Sequence, residues 1–405
     1  MSRVVKLEEL CIPDQIGKYG IPAVAEEFSE DKVRYLRITD IDDYGNLLEN
    51  DKKSVSSPEI EKYILKEGDI VFARTGNSTG RTYFHEEKNG ELAFAGFLIK
   101  FSLDESKVNP KYLKYFTISK PYKQWVDNLS NGSTRGNINA KTFADCPIIL
   151  PPRAQQDYLV RVLSSLEEKI QINNQINQEL EAMAKTLYDY WFVQFDFPDQ
   201  NGKPYKSSGG KMVYNPELKR EIPEGWGVEK LGDITICHDS KRVPLSSNDR
   251  ELVKGKIPYY GATGIMDYVN DYIFDGDYVL MAEDGSVMTE KGTPILQRIS
   301  GKNWVNNHAH VLEPVKNHSC KLLMMLLKDV SVMKIKTGSI QMKINQENMN
   351  KIVVPAIPLE LLFEINQKLE VIDKQQLNLI EENKQLTQLR DWLLPMLMNG
   401  QVKVE

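Results

Sequence analysis

The chain has 405 residues, of which 41% are hydrophobic and 27% are charged, and its formal net charge is −6 at pH 7. This length predicts two or three domains, and no apolar run approaches the ~18 residues that a membrane span needs. The acidic balance excludes a simple polycation that coats nucleic acid, so any contact with DNA must come from local basic faces.

The N-terminus and the cysteines bear on the cellular compartment. The opening MSRVVKLEEL lacks the apolar segment of a secretory signal. The four cysteines lie far apart without any C-x-x-C pair, which argues against a disulfide framework and against a zinc ribbon. We therefore expect a cytoplasmic protein with reduced cysteines and no bound metal.

The first predicted module covers residues 1–152. It is rich in short β-like runs, such as VRYLRITDI and ELAFAGFLIKF, that are punctuated by Gly and Asp turns. A helical piece at 111–126 interrupts these runs, so the pattern predicts a mixed α and β module. The module ends in the loop NGSTRGNIN (131–139), which a β-like run and two prolines follow.

A long helix and a linker come next. Residues 153–196 are predicted to form this helix, and residues 153–193 contain almost no turn residues. Steps of four and three alternate along the seam positions 159, 163, 166, 170, 173, 177, 180, 184 and 187, which is the 3.5-residue repeat of a coiled coil. A helix of about 40 residues spans ~60 Å, so we interpret it as a spacer. Residues 197–224 are rich in Pro, Gly, Ser and charges and are predicted to form a linker strap.

The second half repeats this order. Residues 225–357 again alternate β-like runs with a helical piece at 320–334, and residues 358–405 contain a second helix with the same seam and a tail. Asn177 and Asn383 occupy seam positions in the two helices, where a buried Asn penalises wrong registers. We interpret this pair as register control between two helices that pack antiparallel. Two independent helices, each lying on its own domain, remain the alternative.

The repetition can be aligned without a gap. Placing residue i over residue i+206 matches the loop NGSTRGNIN with TGSIQMKIN (337–345), and the register persists into both long helices. A repeat unit of this length indicates duplicated whole domains rather than a solenoid. The matched pairs include Gly132 with Gly338, Ile138 with Ile344, Asn139 with Asn345 and Pro152 with Pro358.

Three stretches in a fixed order carry a family resemblance. They are LPPRAQQDYLV (from Leu150), IPEGWGVEKLGDI (from Ile222) and YYGATGIMDYVNDYIFDGDYVLMAEDG (from Tyr259). With the tandem plan, they make essentially the whole chain resemble the DNA-specificity subunits of type I restriction–modification enzymes. The resemblance implies an α+β fold, in which two mixed α/β target recognition domains are separated by two long helices forming an antiparallel coiled coil.

The resemblance also implies a function. Each target recognition domain would bind one half of a bipartite, asymmetric site in double-stranded DNA, and the coiled coil would set the spacing. The coiled coil would also dock two methyltransferase (modification) subunits, through which two restriction subunits, the ATP-dependent translocase and nuclease, would join. By this resemblance, the chain would repeat itself because it must recognise two half-sites.

Two catalytic motifs that a restriction–modification enzyme would need do not occur in the sequence. It contains neither the G-x-x-x-x-G-K-[ST] phosphate loop nor the Asn/Asp-Pro-Pro-aromatic tetrapeptide of amino-methyltransferases. We therefore predict no catalytic residue and no cofactor on this chain, and we expect S-adenosylmethionine, ATP and Mg²⁺ in the partner subunits. The predicted role is a non-catalytic DNA-recognition subunit that takes part in DNA methylation.

Candidate DNA-binding residues lie in glycine-bearing or repeated loops. The loop ARTGNSTGR (73–81) contains no acid, Arg can bind guanine or phosphate, and Asn can bind adenine. Plain surface turns, core tyrosines, a satisfied strand histidine and solvated lysines remain the alternatives. The candidates are Arg74, Thr75, Asn77, Arg81 and Arg135 in the first module, and Tyr259, Tyr260, Thr263, Asn307, His308, Lys336 and Lys343 in the second.

Two other functions are weighed against this one. Asp199, Glu217 and Lys219 fit a loose nuclease pattern in which carboxylates hold Mg²⁺, but they fall in the predicted strap rather than on paired strands. A coiled-coil adaptor with protein-binding ends is the other alternative. A metal cluster of His308, His310, His318 and Cys320 is disfavoured, because the first two histidines alternate with apolar residues as in a strand.

Overall fold

The structure of the protein, a computed structural model, describes residues 2–130, 137–338 and 342–398. The chain divides into two compact units, Met1–Ile172 with Glu382–Glu405, and Asn173–Glu381. Each unit contains one globular part and one stretch of each of two long helices. Arg135 and the centres of both repeated loops lie outside the described residues.

The helices and strands follow in chain order. The α-helices of the described residues are α1 (Pro110–Phe116), α2 (Lys120–Ser130), α3 (Ala140–Ala144), α4 (Arg153–Tyr188), α5 (Leu231–Ile234), α6 (Ser247–Leu252), α7 (Cys320–Leu327), α8 (Gln346–Asn350) and α9 (Leu359–Met398). The strands of the first unit are β1 (Arg3–Lys6), β2 (Lys18–Tyr19), β3 (Glu26–Glu27), β4 (Arg34–Leu36), β5 (Lys53–Ser54), β6 (Asp69–Ala73), β7 (Thr82–Phe84), β8 (Leu92–Phe94), β9 (Leu98–Ser102) and β10 (Pro147–Leu150). Those of the second unit are β11 (Met212–Asn215), β12 (Arg220–Pro223), β13 (Gly227–Lys230), β14 (Thr235–Cys237), β15 (Lys254–Tyr260), β16 (Ile265–Val269), β17 (Phe274–Asp275), β18 (Tyr278–Ala282), β19 (Leu296–Ile299), β20 (Lys302–Val305), β21 (Ala309–Pro314) and β22 (Val353–Ala356).

The first unit is built on two four-stranded sheets. One is antiparallel with strand order β2-β9-β6-β7, and the other has the order β3-β5-β4-β8 with β4 and β8 parallel. Every residue of β6 and β9 is buried, which explains why both strands are almost continuously apolar. The buried exceptions are paired, because Lys100 contacts the Asp69 carboxylate at 3.1 Å.

The globular part of the second unit repeats this plan. Its antiparallel sheet has the order β14-β21-β18-β19, in which each strand takes the place of its counterpart in the first unit. The other four-stranded sheet has the order β16-β15-β20-β17 and also contains one parallel pair, β15 with β20. The two globular parts therefore share the strand order of the antiparallel sheet, whereas the parallel pair lies at the edge of the other sheet in the first unit and in its centre in the second.

The repeated sequence has a structural cause. Each globular part begins with a strand that pairs antiparallel with its last strand, β1 with β10 and β13 with β22. The repeated Asn139 and Asn345 are helix N-caps, and their side chains accept hydrogen bonds from the backbone N–H groups of Thr142 (2.9 Å) and Asn348 (2.8 Å). The motif recurs because both domains close with the same capped turn before a long helix.

The two long helices form an antiparallel coiled coil. In the first unit, Leu163 of α4 and Leu393 of α9 lie in one apolar cluster, while the later Lys169 contacts the earlier Glu382 at 3.5 Å. In the second unit, the Gln376 amide donates to the backbone oxygen of Asn177 at 3.2 Å. All nine predicted seam positions of α4, from Leu159 to Leu187, are buried or half-buried.

Some sequence predictions need correction. The helical piece expected at 111–126 is two helices, α1 and α2, separated by a turn that begins at Thr117. The piece expected at 320–334 ends as an α-helix at Leu327. The segment predicted as a linker strap contains the hairpin β11–β12, in which Met212–Asn215 pair antiparallel with Arg220–Pro223.

A further prediction concerns the register between α4 and α9. Asn177 belongs to the second unit and Asn383 to the first, and both are half-buried, so their role in register stays a prediction.

Among the described residues, no helix combines the length and the apolar character needed to cross a membrane.

Candidate nucleic-acid interface

The loop after β6 is closed by its own backbone. Ala73 donates to the Arg81 oxygen and Gly80 donates to the Ala73 oxygen, both at 2.8 Å, and Gly76 adopts a positive φ of 72° at the turn. This closure leaves Asn77 exposed and Thr75 half-buried. The loop is therefore a fixed platform for its polar side chains.

Arg74 lies where this loop meets the first repeated loop. Its guanidinium carbon is 5.2 Å from the centre of the Tyr19 ring, and its Nε donates to Asn137 Oδ1 at 3.3 Å. The backbone N–H of Ile138 donates to the Arg74 oxygen at 2.9 Å. Aromatic stacking and the side-chain bond hold the guanidinium plane in place, which suits a group that binds a base edge or a phosphate.

Arg81 has a different environment from the one its sequence suggests. Its Nε donates to the Asp43 carboxylate at 2.7 Å and its Nη1 donates to the Ile41 oxygen at 3.0 Å. Arg81 and Asp43 line a cavity of about 400 Å³. The loop contains no acid in sequence, but the fold supplies one, so Arg81 holds two segments of the domain together.

In the second unit, Thr263 sits at the tip of the β15–β16 hairpin. It is exposed, and the Gln297 amide fixes this tip by donating to the oxygens of Gly261 (3.0 Å) and Ala262 (2.9 Å). Tyr260 is half-buried, whereas Tyr259 is 1% exposed and its hydroxyl accepts a hydrogen bond from the Leu245 N–H at 2.9 Å. Tyr259 is therefore a core residue and is withdrawn from the candidate DNA-binding face.

Beside the second repeated loop lies a network of charges. Lys343 contacts Glu283 at 2.9 Å, and Glu283 also accepts from Arg242 at 2.7 Å. Burial raises the pKa of Glu283, but the hydrogen bonds from Lys343 and Arg242 outweigh burial and bring that pKa below its ordinary value. The hydrogen bond to Glu283 raises the pKa of Lys343. The carboxylate thus keeps two cations in fixed positions.

Three candidates surround this network. His308 is exposed, and its Nδ1 lies 2.5 Å from Asp284 Oδ1, while Asn307 beside it is also exposed. Lys336 is half-buried and its backbone N–H donates to the Val332 oxygen at 2.8 Å. The fold therefore groups His308, Asn307 and Lys343 around the adjacent carboxylates of Glu283 and Asp284, and it fixes the backbone of Lys336.

Possible metal ligands gather in the same region. Among the described residues, the group found with metal-ligand geometry is Cys237, Asp239 and His310, rather than the set of histidines considered from the sequence. His310 contacts Asp239 at 2.5 Å and the Ile344 oxygen at 2.8 Å. Arg242 lies 3.3 Å from the same carboxylate, so its guanidinium already balances that charge.

The residues of the nuclease alternative do not converge on paired strands. The Asp199 carboxylate caps its own turn by accepting from the N–H groups of Asn201 and Lys203. Glu217 and Lys219 are exposed in the tight turn between β11 and β12, where Lys219 has a φ of 54°. This arrangement lacks the two buried carboxylates that a metal-dependent nuclease requires.

Several residues of the interface were missed from the sequence. Tyr19, Gln297 and Arg242 come from distant segments, and none of them belongs to a recognisable motif. Only the fold brings an aromatic ring under Arg74 or an amide under the Thr263 turn. A glycine-rich tip was the available signal, and it indicated the loops but not their supports.

Comparison with known proteins identifies the family. The family model for the type I restriction modification DNA specificity domain matches residues 3–182 and 223–388. The chain belongs to this family. A specificity subunit provides DNA recognition for a restriction–modification complex and is not its catalytic component, and the two matched segments agree with the two domains of a bipartite site. The nuclease and adaptor alternatives find no support.

Individual relatives are distant in sequence. The MjaIX specificity subunit of Methanocaldococcus jannaschii is 25% identical over 316 residues, which cover 73% of this chain and 69% of that protein. The HindI specificity subunit of Haemophilus influenzae is 22% identical over 415 residues, which cover 85% and 89% of the two chains. The crystal structure of an S subunit from M. genitalium matches 98% of this chain and 96% of its own, with a TM-score of 0.55 and 16% identity, and supports the fold.

Proposed function

We propose that each unit of this specificity subunit binds one half of an asymmetric DNA site through the loops around its repeated motif. One observation carries the proposal: the two domains share the strand order of their antiparallel sheets and their helix caps, yet they present different polar side chains beside the repeated loops. A constant framework with varied surface residues is what two readers of different sequences need.

In the first domain, Arg74 and Asn77 are the leading candidates for base contacts. Arg can donate two hydrogen bonds to guanine O6 and N7, and Asn can pair with the adenine edge. Thr75 lies between them, and Arg135, outside the described residues, stays a candidate for a phosphate contact. Arg81 is assigned to the support of the loop because Asp43 and Ile41 already bind its guanidinium.

In the second domain, Thr263, Asn307 and His308 are the proposed base contacts. Their exposure and the fixed turns that carry them support this choice. Lys336 and Lys343 follow as phosphate contacts, since Lys acts mainly as a point charge on the DNA backbone. Tyr260 is half-buried and would support the hairpin tip beneath Thr263.

The partner subunits require a docking surface. Each unit exposes large apolar side chains on its long helices, including Trp392 (57% exposed) in the first and Phe363 (61%) and Met183 (58%) in the second. We infer that two modification subunits dock there, followed by two restriction subunits, and that these partners bind S-adenosylmethionine, ATP and Mg²⁺ in the cytoplasm.

The proposed domain boundaries are 1–152, 153–196, 197–224, 225–357 and 358–405.

The decisive experiment compares the chain alone with the assembled complex. The purified chain should not methylate or cleave DNA, and methylation at one bipartite sequence should appear when modification subunits and S-adenosylmethionine are added. Sequencing of methylated bases in a plasmid library gives the site. Turnover by the chain alone, or methylation without a bipartite consensus, would overturn the proposal.

A further inference from the structure

One buried lysine of the second unit joins its globular part to both long helices. Lys321 lies at the start of α7, and its side chain is 5% exposed. Its ammonium group binds the Glu181 carboxylate of α4 and donates to Gln376 Oε1 of α9 at 2.8 Å. The Gln376 amide in turn donates to the Asn177 oxygen of α4 at 3.2 Å. Three helices therefore meet at one cation.

Two further cations bind the same helices. Arg298 of β19 lies 3.0 Å from Asp373 of α9, and Lys328, which follows α7, lies 2.5 Å from Asp189 just after α4. Their side chains are 14% and 16% exposed. Burial raises the pKa of Asp189, but Lys185 and Lys328 outweigh it, so the net pKa is lowered. We refer to Arg298, Lys321 and Lys328 as the docking cations.

The docking cations constrain position in a way that the apolar contacts do not. Leu322 and Leu326 of α7 lie in the same apolar cluster as Ile365 and Leu369 of α9. Such burial is non-directional, so an apolar face alone tolerates sliding along a helix. An ion pair requires its partner within about 4 Å, and a shift by one helical turn, ~5.4 Å, would break all three contacts with the helices. Arg298 and Lys328 would keep their contacts with Asp277 and Asp329, whereas Lys321 would lose its ion pair.

We propose that the docking cations fix where the second recognition domain sits along the helix pair, and that Lys321 is a positioning residue for the length of the non-specific DNA spacer. This inference rests on the proposed bipartite recognition. Buried ion pairs commonly add little stability but penalise alternative arrangements. The DNA bases bound by each domain would remain the same, whereas the distance between the half-sites would be less strictly selected without Lys321.

The test uses the full-length chain assembled with its modification subunits. Methylation rates are measured on DNA with the native spacer and with spacers one base pair shorter or longer, and the ratio of these rates is the readout. In the Lys321→Met complex, the rate on the native spacer divided by the rate on the altered spacers should fall about tenfold, while the same half-sites are methylated. A change of this size is in keeping with the loss of one charge-assisted hydrogen bond. Lys351→Met, which removes a lysine from an exposed ion pair with Glu347, is the matched control.

Two more variants keep the test decisive if Lys321→Met folds poorly. Glu181→Lys with Lys321→Glu restores an ion pair of reversed polarity and should regain the native ratio. Glu181→Met with Lys321→Met replaces the pair with apolar groups, and it should keep the thermal stability but not the ratio. An unchanged ratio in either Lys321→Met variant, or an equal loss in the control, would overturn the inference. Failure of the wild-type complex to methylate any bipartite site would instead overturn the proposed function.

Discussion

The two recognition domains share one backbone hydrogen bond but carry different side chains beside it. In the first, the Ile138 N–H donates to the Arg74 oxygen at 2.9 Å, and in the second, the Ile344 N–H donates to the Glu283 oxygen at 2.8 Å. Beside this bond, a cation faces the neutral Asn137 in one domain, whereas an anion faces Lys343 in the other. Backbone bonds preserve the shape of the loop, so its charges are free to differ.

The domains also differ in how they are attached to the long helices. In the first unit, Lys114 of α1 lies 2.6 Å from Glu167 of α4, and the Asn109 side chain donates to Asp157 of the same helix at 2.8 Å. The second unit uses the three docking cations, which bind acidic groups along both helices. Similar domains thus use different polar contacts for docking, which suits a framework whose parts are exchanged.

Exchange of the first domain is the strongest way to test this modularity. Replacing residues 1–152 with the equivalent part of another specificity subunit should change one half of the methylated sequence completely and leave the other half unchanged. The reason is that β1 and β10 close the first domain on itself before α4 begins. Sequencing of methylated DNA measures the result, and a change in both halves would contradict independent recognition.

Arg74 offers the next largest effect. Arg74→Ala should weaken methylation at the native site by roughly 10- to 100-fold, because a good bidentate contact to a base contributes about 1–3 kcal/mol. Arg74→Lys is the matched control for charge, and it should keep the salt dependence while losing most of the discrimination. Rates on DNA altered at single positions locate the base concerned. Equal losses at every altered site would indicate a phosphate contact instead.

The sequence predicts the framework better than it predicts the interface. Periodicity located the coiled-coil seam, and the alignment of Asn139 with Asn345 located the two closing loops, because both features depend on local spacing. The structure shows that both asparagines are helix N-caps, which the sequence analysis did not predict. The partners of Arg74 and Arg81 could not be predicted, since Tyr19 and Asp43 approach them only through tertiary contacts. The docking cations were missed for the same reason, and Lys321 lies within an apolar helix that gives no sign of its partners.

Acid titration distinguishes the charged second domain from the first. The pKa of Glu283 lies below its ordinary value of 4.5 despite burial, so its ionised form stabilises the folded state above about pH 4.5, and this stabilisation is lost as the pH falls through the lowered pKa. Glu283→Gln should therefore lower the free energy of unfolding by about 1–3 kcal/mol at pH 7 and by progressively less as the pH falls from about 4.5 through the lowered pKa.

The measurement for Glu283→Gln is denaturant unfolding across the pH range. Glu290→Gln removes an exposed carboxylate of the same domain and is the control. A difference from wild type that stays constant as the pH falls from 7 into the acidic range where carboxylates are protonated would show that the ionised carboxylate is not the source of the stability.

The smallest expected effect tests whether the repeated motif is structural. Asn139→Ala and Asn345→Ala should each lower the free energy of unfolding by about 1 kcal/mol, because each removes a side-chain acceptor from a backbone N–H group at a helix start. Thermal unfolding of the full chain should show similar losses for both variants, since the two caps have nearly the same geometry.

Asn270→Ala, at an exposed position outside a helix start, is the control and should change stability by less than either variant. Methylated sequences should stay the same in both variants, because both cap side chains already accept a hydrogen bond within the closing turn. A change in the bases recognised would show instead that these asparagines take part in DNA contact, and the repetition would then belong to recognition rather than to the framework.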